Sequence, residues 1–133
     1  AEIGFWNLLN HEIAHCYFNE ATKCHIPSWL NEGLSEYFSK PEPKTFGQEE
    51  VLEVLAGFSS IEIRQYRIAH HIVSRLICLY GRERLVLLLR QIGNDIQKIP
   101  RGQKYLESDF ASAFSQIYGF DFDRGAIATD ICR

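Results

Sequence analysis

Two histidines stand four residues apart in the stretch Asn7 to Glu20, NLLNHEIAHCYFNE, and a glutamate directly follows the first of them. An α-helix turns about 100° per residue, so positions i and i+4 lie one turn apart on nearly the same face. His11 and His15 can then point their imidazoles at one ion. Neutral imidazole nitrogen suits zinc, and a catalytic zinc keeps three protein ligands and an open position for water. Glu12 falls beside this pair rather than on the metal face, within reach of the water and not of the ion. That is the division of labour of a metal-dependent hydrolase: the cation lowers the pKa of water toward neutrality and the carboxylate removes the proton. A competing reading makes His11 and His15 ordinary helix residues and puts Glu12 on a solvated face, because three fixed positions also arise by chance.

A second acidic stretch follows at Ile26 to Phe38, IPSWLNEGLSEYF, with Glu32 one turn into a fresh helix and Glu36 one turn beyond. A helix–loop–helix return would let Glu32 face the two histidines and complete a set of two histidines and a glutamate. Glu36 could then accept a hydrogen bond from the far nitrogen of a ligand histidine, fixing its tautomer and orientation. Gly33 removes a side chain beside Glu32, which suits two helices approaching closely around an ion. Its cost inside a helix is about 1 kcal/mol relative to alanine, so a packing or geometric reason is expected.

The apolar pattern supplies helices almost throughout, with very little strand signal. From Glu2 to Asn19 the apolar residues between Ile3 and Phe18 cover most of the circumference, as in a buried central helix. Ala21 to Pro27 reads as a polar connection. Ser28 offers a side-chain oxygen as N-cap for a helix from Trp29 to Ser39, which Pro41-Glu42-Pro43 stops. Further helices are expected over Gln48–Ala56, over Ile61–Tyr80 with Gly81 as its stop, and over Arg82–Ile92, closed by Gly93. Asn94 to Tyr105 reads as a loop around Pro100 and Gly102. The pattern ends with helices over Asp109–Tyr118, before Gly119, and Asp123–Asp130. No repeat or linker divides the chain, so residues 1–133 are expected to form one domain.

Taken together, HEIAH and PSWLNEGLSEYF resemble the gluzincin group of zinc metallopeptidases, which pairs H-E-x-x-H with a later glutamate in an N-E-G-type motif. The stretches QYRIAHHIVSRLICLYGRERLVLLLRQIG and FASAFSQIYGFDF are similar to the peptidase MA-like branch of that group. The resemblance runs from about Leu8 to Phe122. It implies a mainly α, zincin-like metallopeptidase catalytic core in which His11, His15 and Glu32 hold Zn2+. Glu12 would be the general base and acid, and Glu36 the carboxylate behind a ligand histidine. The implied reaction is peptide-bond hydrolysis in a peptide or protein substrate. Tyr66 matches a tyrosine expected in the family's helix and is the first candidate donor to a developing oxyanion. His70, four residues on and on the same face, is the second. The alternative is a core tyrosine bonded to backbone, with His70 and His71 at the surface.

The chain also departs from the family. Gluzincins place a small β-sheet before the metal helix, and its edge strand binds extended peptide. Here the motif helix begins almost at residue 1, so that sheet is expected to be reduced or missing. The start at Ala1 and the lack of any Met suggest an excerpt of a longer or processed chain. No G-x-M-E-N segment supports aminopeptidase specificity. A second class of reading therefore stands beside the peptidase: a catalytically inactive zincin-like domain that binds a partner or scaffolds a larger protein.

Composition narrows the partners. A formal net charge of −3 gives no basic footprint for nucleic acid, and no apolar run is long enough for a membrane span. Cys16, Cys24, Cys78 and Cys132 contain no C-x-x-C pair, which argues against a cysteine zinc cluster. They could form disulfides or remain buried thiols, according to compartment. Cys16 projects about 100° away from His15 and is not expected to reach the metal. His25 is expected to be solvated in its loop, and Trp29 to pack between helices.

Overall fold

The computed structural model describes residues 2–22, 26–39 and 43–133, with side chains described from residue 9 onward apart from residue 21. Helix accounts for about three quarters of the described residues, and no strand occurs among them, as expected of a mainly α chain. The helices are α1 (Glu2–Thr22), α2 (Ser28–Ser39), α3 (Gln48–Leu55), α4 (Tyr66–Tyr80), α5 (Arg82–Lys98), α6 (Glu107–Tyr118) and α7 (Arg124–Ile131). A 3-10 turn over Ile63–Gln65 leads into α4, so the helix expected from Ile61 takes α-helical form only at Tyr66.

The arrangement is built around α2, which packs most extensively on α4 and on α1. Helix α5 lies against α1 and α6, and α7 lies against α3. Buried apolar residues from all seven helices join one hydrophobic cluster. Trp29 sits at its centre, 1% exposed, stacked on Phe122 and edge-on to Phe110. Its place between helices is the one the sequence suggests.

Gly33 has the packing reason that its cost demands, but the neighbour is not the histidine helix. A Cβ at this position would lie 2.5 Å from the Ala69 carbonyl oxygen and 2.5 Å from Val73 Cγ2. The missing side chain therefore lets α2 press against the backbone of α4, and that contact fixes the height and rotation of the turn carrying Glu32.

Several boundaries differ from expectation for identifiable reasons. Helix α5 does not stop at Gly93 but continues to Lys98. Ile92 is buried and Ile96 packs on the core, while Gln91 Nε2 donates to Asp95 Oδ1 across 2.8 Å. Continued apolar spacing outweighs the propensity cost of one glycine, and Pro100 follows shortly after the true end. Helix α1 likewise runs on to Thr22, whose hydroxyl donates back to the Phe18 carbonyl at 2.7 Å. Ser28 is not the cap it resembles: its hydroxyl donates to the Ser59 carbonyl at 2.7 Å. The first turn of α2 instead hangs on the Pro27 carbonyl, which accepts from the Leu30 and Asn31 amides. Asp123 does cap α7, its Oδ1 accepting from the Ala126 amide at 2.8 Å. Gly81 and Gly119 end α4 and α6 with φ of 90° and 81°, a region that glycine enters without a Cβ clash.

Cys16 and Cys78 are exposed, Cys132 is partly buried, and none of the three forms a disulfide. The picture of four buried thiols therefore fails for these residues. Cys24, His25, Pro41 and Glu42 lie outside the described residues. No helix among the described residues is long and apolar enough to cross a membrane.

Candidate metal centre

Helix α1 presents His11 and His15 one turn apart, and α2 meets them with Glu32. His15 Nε2 lies 2.9 Å from Glu32 Oε2, His11 Nε2 lies 3.1 Å from the same oxygen, and the two Nε2 atoms are 2.8 Å apart. Three electron-pair donors from two helices thus converge on one point, and they are the group among the described residues able to share a metal ion. Zinc bound by nitrogen and oxygen at about 2.0–2.1 Å with tetrahedral angles spaces its ligands about 3.3 Å apart. The observed triangle needs only a few tenths of an ångström of expansion to match, so the donor set fits zinc in type, number and spacing.

The surroundings ask for positive charge. His11 is buried, and its Nδ1 faces Glu36 Oε1 at 3.4 Å. Hydrogen bonds to Glu32 and then to Glu36 raise the His11 pKa to about 9, against the opposing effect of burial. Two carboxylates flanking one imidazole hold a proton there for the same electrostatic reason that they would hold a cation. Glu36 itself is 4% exposed, which places its carboxylate behind His11, on the side away from solvent.

His15 is oriented differently. Its Nδ1 lies 2.8 Å from Asn31 Oδ1, and Asn31 Nδ2 donates to Asn19 Oδ1 at 2.8 Å. Sequence reasoning assigns neither asparagine a role, although Asn31 opens the N-E-G stretch. The signal was nonetheless present, since Asn19 follows His15 by four residues on one helical face and Asn31 immediately precedes Glu32.

Of the remaining candidates, Glu12 is exposed on α1 beside His11 and His15. Tyr66, at the start of α4, lays its ring parallel to the His11 ring at a centroid distance of 6.0 Å. Burial, followed by the charge and hydrogen bonding of Glu32 and the charges of Glu12 and Glu36, holds the phenol above its ordinary pKa. Tyr66 therefore stays protonated, a donor beside the carboxylates rather than a core tyrosine bonded to backbone. His70 is not brought into the donor group. Its ring is buried and edge-on to Tyr37 at 6.4 Å. His71 is buried as well, against Phe46, so neither is the surface histidine that the alternative reading required.

An apolar surface lies elsewhere. An open apolar groove of about 710 Å³ runs along another face of α1, where Ile13, Tyr17 and Phe38 meet Val86 and Leu89 of α5, with Arg90 at its polar edge. It contains none of the candidate ligands.

Compared with known proteins, the chain matches no family model, no curated protein and no solved structure.

Proposed function

We propose that this chain is a zincin-like catalytic core of the gluzincin type, hydrolysing peptide bonds with zinc held by His11, His15 and Glu32. The observation that carries this reading is the meeting of His11 Nε2, His15 Nε2 and Glu32 Oε2 within 3.1 Å of one another, with an exposed glutamate next in sequence to the first ligand. When bound, zinc supplies Lewis acidity that lowers the pKa of water and polarises a carbonyl. The chain's own groups do the rest. Glu12 takes the proton of the attacking water and hands it to the leaving amine; it is exposed on α1 and is not one of the three donors. Tyr66 keeps its proton beside Glu32 and donates a hydrogen bond to the oxygen that becomes negative. Glu36 and Asn31 orient the two imidazoles from behind. Outside the three ligands, Glu12 and Tyr66 are the residues that meet substrate, a peptide or protein chain.

The experiment is metal analysis of the purified protein together with cleavage of a peptide library. One zinc per chain and metal-dependent cleavage are expected, and a protein that takes up no stoichiometric zinc would refute the assignment. One observation favours the second reading, that of a binding or scaffolding module. Ile13 and Tyr17 are 57% and 69% exposed in the apolar groove, a surface that hydrolysis does not use. Zinc uptake without cleavage of any peptide would favour the module.

A further inference from the structure

Asparagine amides have two orientations that differ only by exchange of oxygen and nitrogen, so their hydrogen-bond partners decide which is adopted. For Asn31 that choice bears directly on His15. With Oδ1 toward the ring, as observed at 2.8 Å, Asn31 accepts a proton carried on Nδ1, and Nε2 keeps its electron pair. Reversed, Asn31 would donate to Nδ1, and the ring proton would move to Nε2, where it meets His11 Nε2 and Glu32 Oε2 and obstructs ligation.

The amide of Asn31 has its other end on Asn19, with Nδ2 donating to Asn19 Oδ1 at 2.8 Å. Asn19 belongs to the same helix as His15, one turn further on. All three side chains are partly buried, so water competes weakly for these bonds. From this we infer that Asn19 is a positioning residue for His15. Through Asn31 it holds the imidazole in the Nδ1-protonated tautomer and leaves Nε2 free to ligate. The inference rests on the reading of His15 as a metal ligand, but its geometry closes on α1 without the metal: Asn19 and His15 share a helical face, and Asn31 from α2 bridges them.

The relay could run in either direction, and this makes it testable. Asn19→Asp keeps the acceptor and abolishes the reverse direction, because a carboxylate has no N–H to donate. Asn19→Leu, of similar size, removes acceptor and donor together. The test records the ring nitrogen shifts of His15 by long-range 1H–15N correlation on metal-free, folded protein, at a pH where those shifts no longer change. Zinc affinity by chelator competition is measured in parallel. Wild type and Asn19→Asp are expected to show a protonated Nδ1 and an unprotonated Nε2, with zinc held at least as tightly by the aspartate variant. Asn19→Leu is expected to shift proton population to Nε2 and to bind zinc about 10–100-fold more weakly, the usual effect of losing an outer partner. Unchanged ring shifts in Asn19→Leu, or identical changes in the leucine and aspartate variants, would overturn the inference. If the wild-type protein takes up no zinc, the ligand reading fails by itself, and the metal-free ring shifts still decide the relay.

Discussion

The Nε2 atoms of His11 and His15 stand 2.8 Å apart and share the same Glu32 oxygen as a neighbour. Two imidazole electron pairs do not face each other at that distance unless a proton or a cation lies between them. Replacement of His11, His15 or Glu32 by alanine is therefore expected to weaken zinc binding by more than about 100-fold, beyond the range for outer partners. Chelator competition with metal analysis checks this, and one ion per chain surviving any single replacement would sink the ligand set.

Glu12 and Tyr66 should separate binding from chemistry. Glu12→Gln keeps the shape and removes the proton acceptor, so zinc content should be unchanged while hydrolysis falls about 10²–10⁴-fold. Tyr66→Phe should lower kcat by about 10²–10³-fold with little change in KM, as for loss of one oxyanion donor. Steady-state kinetics on a cleaved peptide read both, and full activity in the glutamine variant would eliminate Glu12 as the base.

Gly33→Ala puts a methyl group 2.5 Å from a backbone oxygen of α4 and 2.5 Å from Val73 Cγ2. Overpacking of this kind costs about 1–3 kcal/mol, and the backbone cannot swing away as a flexible side chain could. Denaturant unfolding of the metal-free variant should show a lower midpoint. Zinc affinity should fall with it, because the same contact seats Glu32.

His71 gives the fold an acid limit. Burial, assisted by the charge of Arg75, holds its pKa below the ordinary 6.5. The unfolded chain thus binds this proton more readily than the native one. The contribution of His71 to stability is present above pH 6.5 and is lost as pH falls from there through the depressed native value. His71→Leu should flatten that part of the stability–pH curve, as measured by denaturant midpoints across the acid range. A slope as steep as that of wild type would show that other groups set the limit.

What could be read from the sequence was the local chemistry. His11 and His15 share a face by helical spacing alone, and a return from α1 to α2 suffices to bring Glu32 to them. What could not be read depends on tertiary neighbours. That Asn31 bridges His15 and Asn19 depends on how α2 meets α1, and a sequence does not show which polar group meets which. The burial of His70 and His71 follows from what packs on α4, Tyr37 of α2 on the first and Phe46 on the second, not from any property of a histidine pair. Gly93 looked like a helix end because glycine often is one, yet Ile92 and Ile96 had core to pack against and carried α5 past it.

The candidate ligands all lie on consecutive helices, α1 and α2, with sixteen residues between His15 and Glu32. Closing so short a loop costs little chain entropy, since each doubling of loop length adds only about 0.6 kcal/mol. Tyr66 comes from α4, much further along the chain, so its place beside His11 closes a far longer loop. The donor set is thus a local construction of two adjacent helices, while its aromatic neighbour is a long-range one.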